Sequence, residues 1–150
     1  MSLDARTRIA TAVAAREVSD LARDVVVVAG QDFAPGELIA RMNAARIAQI
    51  AALDRAVLTE RVAGASWDVI ADALGMPVAA VIGRYEPIAN EWAAHGEQGD
   101  VQLPAVERGV RVGIDGDRDL EGTASAIEAW LVRHVDPYDL PTDVSLSARI

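Results

Sequence analysis

The segment 64–85 constrains the fold most strongly, because it is typical of two short helices joined by a tight turn. Ser66 is placed to cap the first helix by accepting a backbone N–H bond, and Asp68 suits the positive end of that helix. Gly75 stands where such a turn needs a positive φ, which glycine adopts without steric penalty. We expect the buried side of this unit to consist of Ile70, Ala71, Leu74 and Val81.

Two long amphipathic helices are predicted before this unit. Residues 4–29 carry apolar side chains every three to four positions, and Gly30 is a typical C-terminal stop. The predicted apolar stripe is Ile9, Ala14, Val18, Leu21, Val25 and Val28. The second helix starts near Pro35 and runs to about residue 63, with a bend or break near Leu53 left open. Its predicted seam is Ile39, Met42, Ile50, Leu53 and Val57, flanked by Ile47, Leu58 and Val62.

The remainder of the chain has weaker patterns. Residues 87–95 predict a further helix, and residues 101–114 predict a loop or a short strand. A last helix from about Asp119 to His134 should bury Ile127, Trp130 and Leu131, followed by an irregular tail from Asp136. The fold class is therefore all-α. We assign residues 1–96 to a helical domain with a helix-turn-helix at 66–85, and residues 97–150 to an acidic C-terminal extension with one helix.

The charge balance limits the partners of such a chain. Its 23 acidic residues and 14 basic residues give a net charge of −9, and every basic residue is arginine. This acidity argues against strong non-specific nucleic-acid binding, which needs a positive surface. The absence of cysteine excludes disulfides and thiolate sites. No apolar run reaches the roughly 18 residues of a membrane span and no signal peptide is visible, so the predicted location is the cytoplasm.

The segment resembles the helix-turn-helix of small regulatory proteins common in high-GC bacteria, and more distantly the fourth region of sigma factors. The similarity lies in the G-A-S-W opening at 64–67, the A-L-G turn at 73–75 and the aromatic residue of Arg84-Tyr85. The segments 35–38 and 129–134 also resemble parts of these proteins, but their patterns are less specific. The resemblance implies transcription regulation by a DNA-binding dimer whose second helix contacts the duplex.

The second helix of the unit departs from that pattern. Where the resemblance implies a Ser or Thr cap followed by Arg, Gln, His or Lys, this chain has Pro77, Val78, Ala79, Ala80, Ile82 and Gly83. Only Arg84 can neutralise a phosphate, and residues 53–92 hold six acids against three arginines. Three interpretations remain open for this helix: a DNA contact, burial within the monomer, or an apolar surface for a protein partner.

The candidate DNA- or partner-binding residues are Ser66, Pro77, Val78, Ala79, Ile82 and Arg84. We expect a non-enzymatic helix-turn-helix regulator, most simply a DNA-associated homodimer. The alternatives are a protein-interaction module that does not bind DNA, and an acidic DNA mimic. No cofactor, metal or membrane partner is predicted.

Other chemistry-bearing residues have simpler explanations. In the segment from Asp115 to Asp119 every second residue is an aspartate, as at the start of a calcium-binding loop. Leu120 and Ala126 occupy the positions where that loop needs Gly and Glu, so we prefer a helix cap at Asp117 or Asp119.

The histidines, tryptophans and several arginines also have structural explanations. His95 and His134 stand near predicted helix ends, where a cation is favourable. Trp67, Trp92 and Trp130 are interpreted as core anchors. The arginines Arg41, Arg46, Arg55 and Arg61 are interpreted as a solvated helix face.

Overall fold

The computed structural model describes residues 3–95 and 120–135, and this part of the chain is all α-helical. Its helices are α1 (Leu3–Ala29), α2 (Glu37–Val62), α3 (Trp67–Leu74), α4 (Val78–His95) and α5 (Leu120–His134). The all-α prediction is confirmed. The predicted loop or strand at 101–114, the caps at Asp117 and Asp119, and the irregular tail from Asp136 lie outside the described residues. Among the helices described, none is both long and apolar enough to cross a membrane.

Helices α1 and α2 form a long antiparallel hairpin, which is the platform of the fold. The hydroxyls of Thr11 and Thr59 hydrogen-bond across it at 2.8 Å, and Arg41 pairs with Asp24 nearer its tip. Ala14 and Val28 of the predicted α1 stripe are buried, and Val18, Leu21 and Val25 are half-buried. Small residues such as Ala14 and Ala48 at the contact allow the two helices to approach closely.

The predicted apolar seam of α2 is partly wrong. Val57 and Leu58 are buried, but Ile39, Met42 and Leu53 are 76%, 55% and 46% exposed. The line of α2 that meets α1 instead contains Ala48, Arg55 and Leu58. Because one helix can turn only one side toward its partner, the residues on the far side stay in solvent. Helix α2 also continues without a break through Leu53.

Arg55 is buried rather than solvated, with only 6% of its surface exposed. Its guanidinium donates to the carbonyl of Ala51 at 3.2 Å. Burial lowers the pKa of Arg55, while the charges of Glu17 and Asp54 act in the opposite direction. The aliphatic stem of an arginine can pack between helices, whereas its charged end needs polar partners.

Residues 87–95 are helical as predicted, but they continue the second helix of the unit instead of forming a further one, because α4 runs unbroken from Val78 to His95 with Pro87 inside it. Proline has no N–H to donate, so the carbonyl of Gly83 loses its helical partner. Tyr85 and Trp92 lie two turns apart on one side of α4, before and after Pro87, and both are buried. Buried side chains therefore lie on both halves of the helix.

Helix α5 packs against α1 through Ile9, Ala124 and Ile127. Its predicted core residue Ile127 is buried, and Leu131 packs at the margin of this cluster. Trp130 is half-buried at the α1–α5 boundary, which corrects its role as a core anchor.

The surroundings of Trp130 explain its position. Its indole N–H donates to Asp20 at 3.3 Å, and the guanidinium of Arg23 lies 5.3 Å from its ring centre. The imidazole of His134 stacks on the same ring, with the two ring centres 4.6 Å apart. These polar and charged partners, which remain hydrated, hold the ring at the surface.

Candidate functional site: the helix-turn-helix surface

The turn between α3 and α4 has the geometry that the sequence predicts. The Ser66 hydroxyl accepts the N–H of Val69 at 3.3 Å and caps α3. Gly75 has a φ of 63°, and the N–H of Met76 donates back to the carbonyl of Ala71 at 3.0 Å. These bonds satisfy groups that the end of a helix otherwise leaves unpaired. The predicted cap and the predicted positive-φ glycine are both confirmed.

Helix α4 starts without a side-chain cap. Pro77 precedes it, and the Pro77 carbonyl accepts the N–H groups of Ala80 and Val81 at 2.9 and 3.2 Å. A proline at this point has no hydroxyl or carboxylate to offer, so no polar side chain marks the start of the second helix. This is the position where the resemblance implies a Ser or Thr cap.

A compact core fixes this unit, α3 with α4, on the C-terminal half of α2. Val57 of α2 meets Ile70 and Ala71 of α3 and Val81 and Tyr85 of α4, and all five are buried. Val81 has no exposed surface. The predicted inward-facing residues are therefore confirmed, with Leu74 partly buried beside the cluster.

The predicted site residues divide between two environments. Ser66, Pro77, Ala79 and Arg84 are exposed, whereas Val78 and Ile82 are half-buried. Val78 packs against the core of the unit, so it belongs to the inner side more than to the apolar outer side predicted for it. Away from the core, the residue before α4 and the first turns of the helix present Pro77, Ala79, Ala80 and Gly83, which we call the α4 outer surface, and exposed Glu86 follows one turn after Gly83.

Arg84 is held by an ion pair with the domain itself. Its guanidinium lies 3.2 Å from a carboxylate oxygen of Asp54 on α2, and the Tyr85 hydroxyl donates to the same oxygen at 2.8 Å. The Asp54 side chain is only 13% exposed. Burial, followed by the hydrogen bond to Asp54, raises the pKa of Tyr85 to about 12. Three side chains thus join α4 to α2, and the charge of Arg84 is balanced within the fold.

Arg61 also serves the structure of the unit. Its guanidinium lies 4.7 Å from the ring centre of Trp67 and donates to the carbonyl of Ala65 at 2.8 Å. A cation over an aromatic ring and a bond to a loop carbonyl fix the entry into α3. Trp67 is half-buried against the core of the unit rather than free for base stacking.

The exposed charges around the unit are mainly acidic. Asp68 and Asp72 on α3 and Glu86 on α4 are exposed, and the nearby arginines are engaged as described above. Within residues 3–95 and 120–135, no group of three His, Asp or Glu side chains is arranged to hold a metal ion. The sequence-based interpretation missed the role of Asp54, because nothing in the local pattern connects it with residues thirty positions away.

No protein-family model, curated protein or solved structure matches this chain. The candidate site therefore rests on its own geometry: an ordered turn, a buried core beneath it, and an outer surface of small side chains on a unit whose exposed charges are mainly acidic.

Proposed function

We propose that this protein is a non-enzymatic regulatory protein whose helix-turn-helix unit docks onto a protein partner. The observation that carries the proposal is the pairing of Arg84 with Asp54, which occupies the one residue of the second helix suited to a phosphate. What the unit then offers is the α4 outer surface of small, uncharged residues. Interface centres are typically depleted of charge, so such a surface suits a protein better than a polyanion.

The size of these side chains supports a helical partner. The distance between two packed helices depends on the size of the side chains at their contact. Ala79, Ala80 and Gly83 have a methyl group or no side chain, so a second helix could approach α4 closely here. An added Cβ at Gly83 meets nothing within 4 Å, so the surface is open to an approaching chain. The exposed acids Asp68, Asp72 and Glu86 of the same unit would favour a partner that carries lysine or arginine around an apolar centre.

Site-specific photocrosslinking tests this proposal in cells of the source organism. A photoreactive residue at Ala79 should yield a discrete crosslinked protein band, and the same residue at the exposed Ala40 of α2 should not. Introducing Ala80→Glu beside the probe should remove the band, because it places a charge in the contact. Bands of equal intensity from both positions, or adducts with DNA alone, would refute a protein-docking role.

DNA association is the second candidate function. The intact cap, turn and core support it, because a helix-turn-helix reads DNA with a second helix whose outer surface is uncovered, as in α4. Random duplex titrated at about 50 mM salt should then bind weakly and lose affinity steeply with salt. Arg84→Ala should weaken that binding further if the side chain leaves Asp54 for a phosphate.

A further inference from the structure

Helix α5 packs mainly on one helix of the described fold, α1. Its buried side chains Ala124 and Ile127 meet Ile9, and Ala12 and Val13 lie beside them on α1. The helix-turn-helix is fixed on α2 instead, and residues 96–119 of the chain separate α5 from α4. Helix α5 can therefore leave α1 without breaking the contacts that hold the hairpin or the helix-turn-helix together.

The apolar contact that holds α5 is small. Ala124 and Ile127 are 0% and 3% exposed, and Leu131 is half-buried beside them. Other apolar side chains of α5 face the solvent, among them Ala129 and Val132. The free energy of docking grows with the apolar area removed from water, so this contact is a weak one within the fold.

The sequence of α5 makes it a poor helix by itself. It has 15 residues, and isolated helices of about this length are marginal in water even when their residues favour the helix. Gly122, Thr123 and Val132 lower its helix propensity further. Helix α5 should therefore stay helical only while it is docked, so that its undocking and its unfolding are a single event.

A polar cluster closes the contact at a second place on α1. The indole N–H of Trp130 donates to Asp20 at 3.3 Å, and the guanidinium of Arg23 lies 5.3 Å from the centre of the ring. Asp20 and Arg23 also pair with each other at 3.4 Å. His134 lies 2.8 Å from the Trp130 carbonyl and stacks on the ring. We call these four residues the Trp130 latch.

The Trp130 latch is built to be reversible. Asp20, Arg23 and His134 are exposed, so water competes with each of their interactions. Along α1, Asp20 is about 16 Å beyond Ile9, so the latch acts well away from the apolar contact. It adds a directional attachment where no further apolar burial secures α5.

We propose that α5 is a reversible cover of α1, closed by the Trp130 latch, that opens as a unit while the hairpin and the helix-turn-helix stay folded. Opening uncovers Ile9, Ala12 and Val13, which form an apolar stripe on α1. The occupant of this stripe in the structure is α5 itself, so any other helix that bound there would have to compete with it. The proposal does not depend on what the α4 outer surface binds.

The α1–α2 contact provides the comparison. It is the most extensive contact between two helices of the described fold, with Ala14, Ala48 and Leu58 buried. Separating these helices would also remove the surface on which the helix-turn-helix and α5 rest. Hydrogen exchange at the amides around Leu58 should therefore require global unfolding, whereas exchange in α5 should require only the local opening.

Native-state hydrogen exchange of the full chain, read by mass spectrometry, tests the proposal. The amides of α5 should exchange at least about a hundred-fold faster than those around Leu58, and still slower than an unstructured peptide. Urea up to about 1 M should accelerate exchange in α5 much less than around Leu58, because the local opening exposes less surface.

Variants of the latch test its part in the closure. Trp130→Ala should accelerate exchange in α5 about tenfold and leave α2 and α3 within about twofold, because it removes the ring and its bond to Asp20. Asp20→Ala removes the acceptor from the α1 side and should accelerate α5 about threefold. The matched control Val132→Ala truncates an exposed residue of the same helix and should leave α5 within about twofold.

Three results would overturn the proposal. Exchange in α5 as slow and as urea-dependent as around Leu58 would mean that α5 opens only when the whole fold unfolds. Exchange in α5 as fast as in an unstructured peptide would mean that no closed state exists in solution. Equal acceleration of α5 and α2 by Trp130→Ala would assign Trp130 to global stability instead of a latch.

Discussion

Tyr85→Phe is the most direct test of the junction between the helix-turn-helix and the hairpin. It removes one hydroxyl and keeps the ring of a residue that is only 2% exposed. The lost bond joins the phenol to the Asp54 carboxylate over 2.8 Å. A hydrogen bond to a charged group contributes about 1.5–3 kcal/mol. Because Asp54 keeps Arg84 and can recruit water, we expect the lower end, about 1.5 kcal/mol.

Asp54→Ala should cost more, about 2–3 kcal/mol, because it leaves the Tyr85 hydroxyl buried without its acceptor and removes the partner of Arg84. In the double variant the two losses should not add. The expected coupling between Tyr85 and Asp54 is about 1 kcal/mol, since each single change already breaks the shared bond.

Urea unfolding at 25 °C, followed by circular dichroism and tryptophan fluorescence, measures these free energies. Arg84→Met serves as the control, because it breaks the more exposed ion pair and should cost less than about 1 kcal/mol. A Tyr85→Phe variant as stable as wild type, together with additive effects of Tyr85→Phe and Asp54→Ala, would refute the junction as described.

Three further predictions concern the same unit. Gly75→Ala should destabilise the protein by about 1–2 kcal/mol, because its φ of 63° is strained for any residue with a Cβ; a stability equal to wild type in urea would contradict the left-handed turn. Ser66→Ala should cost about 1 kcal/mol in the same assay through loss of the α3 cap, and Ser66→Asp should restore it. Because the pKa of Tyr85 is raised to about 12, its contribution to stability should be complete below about pH 10 and lost as the pH rises toward 12. Tyr85→Phe should flatten this alkaline decline in a pH series of thermal melts, and an unchanged decline would contradict it.

Features governed by neighbouring residues could be predicted from the sequence. The Ser66 cap, the Gly75 turn and the inward position of Val81 each depend on a few adjacent positions. Side-chain capping, positive φ and helical period act over one or two turns, so the sequence contains the required information. The same local reasoning predicted the two long helices and the final helix.

Features governed by distant contacts could not be predicted in this way. The side of α2 that becomes buried depends on α1, so Arg55 was assigned to solvent and Leu53 to the core, the reverse of what the fold shows. Proline is a helix breaker by local rules, yet α4 passes through Pro87, with the buried side chains of Tyr85 and Trp92 before and after it. These outcomes are set by tertiary packing, which overrides local propensity.

The interpretation of Arg84 changed most between sequence and structure. By its residue type it was the one phosphate-binding candidate of the second helix, and the fold places it beside Asp54. The pairing joins residues 30 positions apart and leaves no local pattern by which it could be recognised. Because this pairing occupies Arg84, it supports the proposal of a protein partner over that of DNA association.

A DNA titration with a charge-reversed variant tests the central claim most directly. Labelled random duplex is titrated with wild type and with Asp68→Arg/Asp72→Arg, which reverses two exposed charges on α3, at about 50 mM salt. We predict no binding by wild type, and weak, salt-sensitive binding by the variant, since the helix-turn-helix framework is intact and the variant replaces two exposed carboxylates that repel DNA by two cations. Salt-sensitive binding by wild type that Arg84→Ala weakens would contradict the claim and establish DNA association instead.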